Sequence, residues 1–174
     1  MAQEIKNVIV VGVSHIISCS LTFLLIELQA SGNLGRPILD ALVAAGRFNV
    51  SVLGRDSSSA TFPSNVKVHK TDFSDESITA TFKGQDAVVS ALGMHGFEIQ
   101  PKLVNAAAKA GVKRFLPSEF SGNTLAPGVI ELLPAFKGKL DVLDQLKSKE
   151  KDGLTWTGLS IGPLSDWVSD AWLC

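Results

Sequence analysis

Residues 8–12, VIVVG, and residues 30–46, ASGNLGRPILDALVAAG, decide the fold, and the 17 residues VSHIISCSLTFLLIELQ (13–29) stand between them. The first piece is a short β-branched run ending at a glycine, the pattern of a buried strand. The second places Ile38, Leu39, Leu42 and Val43 on one helical face over 35–46, and Gly46 stops it. With 13–29 set aside, the pieces join as strand, turn and helix. The turn then reads Gly12, Ala30, Ser31, Gly32, Asn33, Leu34, Gly35, a GxxGxxG pattern. A glycine pattern alone is a weak signal, but between a strand and a helix it acquires a mechanism. Small residues let the backbone approach a pyrophosphate, while a helix N-terminus supplies free N–H groups and partial positive charge. The turn is therefore predicted to hold a dinucleotide through Gly12, Ser31, Gly32, Asn33, Leu34 and Gly35.

The rest of the chain repeats the alternation. Strands are expected at 48–55, 65–70, 86–92, 113–117 and 154–160. Between them, helices are expected at 74–82, 100–110 and about 136–149, with Ser74 as N-cap of the first and Gly111 closing the second. Asp75 and Glu76 fall where the helix dipole is positive. Short strands alternating with helices imply a parallel sheet covered on both faces. The right-handed crossover rule makes this a doubly wound α/β fold, a three-layer Rossmann-type sandwich over 1–167. No internal repeat or low-complexity tract competes with that reading.

Composition narrows the function classes. A chain of 174 residues, 45% apolar, can bury a sizeable core as one domain. Sixteen basic residues against 17 acidic ones give a net charge of -1, which gives no support to a nucleic-acid surface. Cys19 and Cys174 make neither a metal spacing nor a disulfide framework, and His69 and His95 have no ligand-type residues at suitable spacing, so no metal is expected. His95 sits in a GMHG loop at the expected active-site edge. No signal peptide is read at the N-terminus, so a cytoplasmic setting is expected. The apolar stretch 16–28 is shorter than the roughly 20 residues a membrane span needs, and it contains Glu27 and three hydroxyl residues.

The block 13–29 begins Val-Ser, which GTRAGT can encode, and ends in Gln, which CAG can encode. These are the sequences expected at the ends of an intron, and 17 codons keep the frame. An intron read as coding sequence is the expected origin, with a genuine insertion as the alternative. A second Val-Ser, Val168-Ser169, opens the tail VSDAWLC (168–174), to which the fold logic assigns no role.

Strand ends in a doubly wound sheet line the crevice and choose the cofactor. The second expected strand ends at Gly54-Arg55, with Asp56 one position later. A guanidinium is a fork-shaped partner for phosphate, so Arg55 favours NADP over NAD; a solvated loop arginine is the alternative. Asp72-Phe73 and 90–93 end the next two strands, where adenine and the nicotinamide ribose would pass. The chain has no tyrosine, which excludes the common Tyr–Lys arrangement of short-chain reductases. Lys139, early in the helix 136–149, is the candidate catalytic group, able to stabilise negative charge that develops during hydride transfer. A solvent-facing helix lysine is the alternative, and Lys137 is its neighbour.

These pieces together resemble the NmrA-like and isoflavone-reductase-like family of atypical short-chain dehydrogenase/reductases. The resemblance rests on VIVVG joined to ASGNLGRPIL, on VLGR (52–55) and VVSALG (88–93), and on GVKRFLPSEFSGN (111–123). It continues through FKGKLDVLDQL (136–146) and WTGLSIGPLSDW (156–167), a wording most like that of fungal members. The resemblance implies NAD(P) binding, usually NADPH, and in many members reduction of a small, often aromatic substrate. It puts the loop glycines on Gly12, Gly32 and Gly35, the 2′-phosphate arginine on Arg55 and the catalytic lysine on Lys139. Some members instead sense the cofactor and regulate a transcription factor, so the implied partner is a small-molecule substrate or, for a sensor, that factor. Neither nucleic acid nor membrane is an expected partner. A substrate-binding lobe would follow Trp167. The block 13–29 falls inside the anion-binding turn, where a displacement of about 1 Å can be costly. NADPH binding by the chain as it stands is therefore expected to be weak or absent.

Overall fold

The computed structural model describes residues 4–12, 30–58 and 60–162. Six strands, β1 (Asn7–Val11), β2 (Asn49–Arg55), β3 (Lys67–Thr71), β4 (Ala87–Ser90), β5 (Arg114–Leu116) and β6 (Thr155–Trp156), form one parallel sheet. Their order is β3-β2-β1-β4-β5-β6, so the chain starts in the middle, winds outward one way, returns and winds the other. This is the doubly wound order, with its switch point between β1 and β4.

The helices are α1 (Ala30–Ala44), α2 (Asp75–Phe82), α3 (Gln100–Ala110), a short α4 (Val129–Leu132) and α5 (Lys137–Lys149). Strand periodicity divides the core in two. Val8, Val10, Val50 and Val52 point to one face and pack with Leu39 of α1. Ile9, Val11 and Leu53 point to the other, against Ile78 and Phe82 of α2, Leu103 and Ala107 of α3, and Val142 and Leu146 of α5. Central β1 is buried over Val8–Val11, as expected of a strand covered on both faces.

Local signals behave as their chemistry requires. Ser74 Oγ accepts from the Ser77 N–H and caps α2, and Gly111 closes α3 in the left-handed conformation at φ 76°. At the amino end of the sheet, the Asp86 carboxylate accepts from the Lys6 and Asn7 N–H groups and from Lys113 Nζ at 2.6 Å. One carboxylate thus ties the start of β1 to the approaches of β4 and β5.

Two elements depart from expectation. α1 begins at Ala30, five residues earlier than the hydrophobic pattern predicts, so Ser31, Gly32, Asn33, Leu34 and Gly35 are helical residues and not a turn before the helix. Apolar periodicity marks a helix only where large apolar side chains recur, and 30–35 carries a single one, Leu34. β6 is two residues long, against a predicted 154–160. Beyond Thr157, whose N–H donates to Phe115, the chain leaves the sheet: the Ile161 and Gly162 N–H groups donate to the Ser121 carbonyl instead. No described helix is long and apolar enough to cross a membrane. The block 13–29 with Cys19, and the tail with Cys174, lie outside the described residues.

Candidate functional site

The carboxyl ends of β1 and β4 meet at the switch point, where an open α/β sheet forms its ligand crevice. Gly12, the residue after β1, has φ +94°, a conformation that side chains rarely adopt. A Cβ there would lie 2.6 Å from the Ala91 carbonyl oxygen and 2.8 Å from its carbon. The Ala91 N–H in turn donates to the Val11 carbonyl at 2.8 Å. Backbone packs against backbone at this point, so only glycine fits. Gly35 in α1 is buried and Leu34 half-buried, in keeping with a helix that lies close to its sheet. Ser31, Gly32 and Asn33 belong to the first turn of α1, and their side-chain surroundings lie outside the described residues.

Arg55 closes β2 in register with Thr71 of β3 and is exposed. Among the described residues its guanidinium has no ion-pair partner. Lys70 Nζ reaches beneath the same turn, donating to the Ser58 carbonyl and, at 3.4 Å, to that of Arg55. After β3, Phe73 holds φ 59°, the sole described residue other than glycine at positive φ. Its N–H donates to Thr71 Oγ1, and the Ser74 N–H to Asp72 Oδ1. That backbone strain lies on the crevice edge where adenine was expected. Ser90, at the end of β4, is fully buried, and its Oγ has no partner among the described residues.

Lys139 is not a solvent-facing helix lysine: it is 4% exposed. Its ammonium donates to Ser121 Oγ at 2.7 Å and lies 5.1 Å from the ring centres of both Phe97 and Phe136. Burial pushes its pKa below the ordinary lysine value, and the charge of Glu119 pushes it back up. The neighbouring Lys137 is exposed and pairs with Asp141 on its own helix at 2.9 Å. Lys139 therefore faces the loops that follow β4 and β5. Those loops are tied together by Ser118, whose Oγ donates to the Leu92 carbonyl and whose N–H donates to Gln100 Oε1. His95 falls in the 3₁₀ helix Met94–Ile99, and its side chain is outside the described ones. His69 lies within β3, and its Nε2 is buried without a partner among the described residues.

Two residues of this cluster lie in the family-like stretch 111–123, which by itself assigns them no role. Glu119 is 3% exposed, and its Oε2 accepts from Thr124 Oγ1 at 2.7 Å. Ser121 supplies the oxygen that Lys139 contacts. A carboxylate and a hydroxyl just past a strand end are the signal that could have singled them out.

A family model described as NAD(P)H-binding matches residues 30–171. The match opens at the residue after the 13–29 block and runs into the 168–174 tail. Oxidoreductase aprR of Aspergillus flavus is 40% identical over 146 residues, 82% of this chain and 49% of its own length. The isoflavone reductase homolog IRL of Zea mays is 32% identical over 147 residues, 75% of this chain and 40% of its own. Among solved structures, AtPrR2 with NADP+ and (+)-pinoresinol shares the fold at a TM-score of 0.64 and 26% identity, over 91% of this chain and 50% of that one. The chain spans about half the length of the relatives it matches. On this fold, this crevice and these matches, the chain belongs to the NAD(P)H-binding family of NmrA-like and isoflavone-reductase-like proteins.

Proposed function

We propose that the whole protein is an NADPH-dependent reductase of a small, aromatic substrate, and that the block 13–29 impairs cofactor binding in the chain as it stands. The observation that carries the reaction is Lys139: a buried ammonium on the same edge of the sheet as the glycine crossover, inside a chain of the NAD(P)H-binding family. The residues present fit the cofactor. Gly12 leaves no room for a side chain at the crossover, the amino end of α1 with Ser31, Gly32, Asn33, Leu34 and Gly35 would carry the pyrophosphate, and Arg55 would take the 2′-phosphate. The family match that opens at residue 30 supports treating 13–29 as foreign to that turn.

When bound, the cofactor supplies a hydride to the substrate. The protein's part is electrostatic and protonic. As negative charge builds on a substrate oxygen, the Lys139 ammonium stabilises it and delivers a proton to it. Phe97 and Phe136 keep bulk water off the ammonium, which strengthens that interaction. The NADP+ and (+)-pinoresinol of AtPrR2 support both the cofactor and an aromatic substrate. The proposed setting is the cytosol.

Turnover is to be tested on the full-length protein lacking 13–29, with NADPH and a panel of aromatic carbonyls, enones and benzylic ethers. Lys139→Met is expected to lower kcat by about 100-fold or more while leaving the NADPH Kd within about threefold. Cofactor binding without oxidation across the whole panel would instead indicate a sensor.

A further inference from the structure

The turn that follows β2 is held from the side by a neighbouring strand. The Ser58 N–H donates to the Arg55 carbonyl at 3.0 Å and closes a turn whose central residues, Asp56 and Ser57, are exposed. The Asp56 N–H donates to the Thr71 carbonyl at 3.1 Å, which carries the bonding between β2 and β3 one residue past the strand. Lys70 adds a third tie. Its ammonium donates to the Ser58 carbonyl and, at 3.4 Å, to that of Arg55. One side chain of β3 thus grips both ends of the turn.

β3 is an outer strand of the sheet, and a lysine on such an edge ordinarily reaches into solvent, where it discourages pairing with another chain. Fixing so long a side chain costs rotamer entropy. Lys70 is exposed and has no carboxylate partner among the described residues, yet it places its donors on two backbone carbonyls. Lys67, the other lysine of β3, is in register with Ser51, toward the amino end of β2, and stands away from the turn.

What the turn carries is Arg55, exposed and without an ion-pair partner among the described residues. A guanidinium grips a phosphate through two parallel N–H bonds, so the grip depends on where the arginine backbone stands. A turn free to rearrange could present the Asp56 carboxylate in its place, and like charges repel. We infer that Lys70 is a positioning residue for the 2′-phosphate: its ammonium clasps the turn 55–58 and fixes the backbone from which Arg55 reaches that group. The inference rests on the NADPH reading and deepens it, since it makes cofactor choice a property of two strands and not of one arginine.

NADPH and NADH differ only in the 2′-phosphate, so the ratio of their Kd values in the chain lacking 13–29 isolates this contact. Lys70→Met is expected to weaken NADPH by about fivefold or more and to leave NADH within about twofold. Lys70→Arg should restore most of the preference, and Lys67→Met, which removes the same charge from the far end of β3, should leave the ratio unmoved. An unchanged ratio in Lys70→Met would overturn the inference. So would a further fall when Lys70→Met is added to Arg55→Met, because a residue acting through Arg55 has nothing left to do in its absence. Amide hydrogen exchange in the chain as it stands reads the clasp without any cofactor. The Ser58 N–H is expected to exchange about tenfold faster in Lys70→Met, with the Ala91 N–H at the centre of the sheet unchanged. Equal exchange at Ser58 would overturn the clasp. Faster exchange at Ser58 in a protein whose 13–29 deletion binds neither dinucleotide would sink the cofactor reading and leave the clasp standing.

Discussion

Gly12 shows how much one residue can decide. Its positive φ and the 2.6 Å approach to the Ala91 carbonyl leave a methyl group neither a comfortable conformation nor a place to go. Gly12→Ala is expected to destabilise the fold by about 2–4 kcal/mol, the sum of backbone strain and overlap. Thermal unfolding of the variant beside the parent chain checks this, and an unchanged Tm would contradict it. The glycine itself was legible, because a β-branched run ending in glycine has few other uses. What it packs against was not, since Ala91 is 79 residues away in sequence and nothing in the local pattern couples the two. Lys139 divides the same way. Resemblance singled it out, but its own helix offered two lysines close together, and only the fold shows one paired in solvent with Asp141 and the other buried between Phe97 and Phe136. Glu119 and Ser121 passed unremarked because their partners come from the loop to Thr124, from α5 and from the segment after β6.

At the scale of elements, strands and helices were read well wherever apolar periodicity ran for a turn or more, as in β1, β2 and α3. Errors fall at ends. Short β6 was overextended because 154–160 alternates like a strand, while its hydrogen bonds are diverted to Ser121 after Thr157. α4, four residues with none buried, carries no periodic signal at all. The amino-terminal latch of the sheet makes a pH prediction. Its Lys113 contact first, then the Asn7 and Lys6 N–H groups, pull the Asp86 pKa down to about 2. A carboxylate with a depressed folded pKa adds stability that is complete above its unfolded pKa of about 4 and is lost as pH falls toward the folded value. Asp86→Asn is therefore expected to cost about 1–2 kcal/mol at pH 7, a range reduced for the partly exposed Lys113. Urea unfolding between pH 7 and about pH 2 should show the two chains converging in acid; a deficit independent of pH would rule out the ionic latch.

At the scale of the whole molecule, the chain spans about half the length of the relatives it matches. Its sheet order is that of the doubly wound NAD(P)H-binding fold, and Gly12 follows β1 at the switch point while Lys139 is buried. Leu125, Leu132, Leu133, Leu159 and Ile161 are exposed near the carboxyl edge of the sheet, where the site lies. The fold class was legible because strand and helix alternate along the chain on either side of 13–29. The geometry at the turn is another matter: sequence locates the turn and carries no measure of its distances.

Calorimetric titration of NADPH into two chains, the present sequence and the same sequence without 13–29, tests the central claim most directly. The account places the pyrophosphate where Gly12 should lead straight into Ala30, so the shortened chain is expected to bind at least about tenfold more tightly. Equal and tight binding by both chains would contradict it.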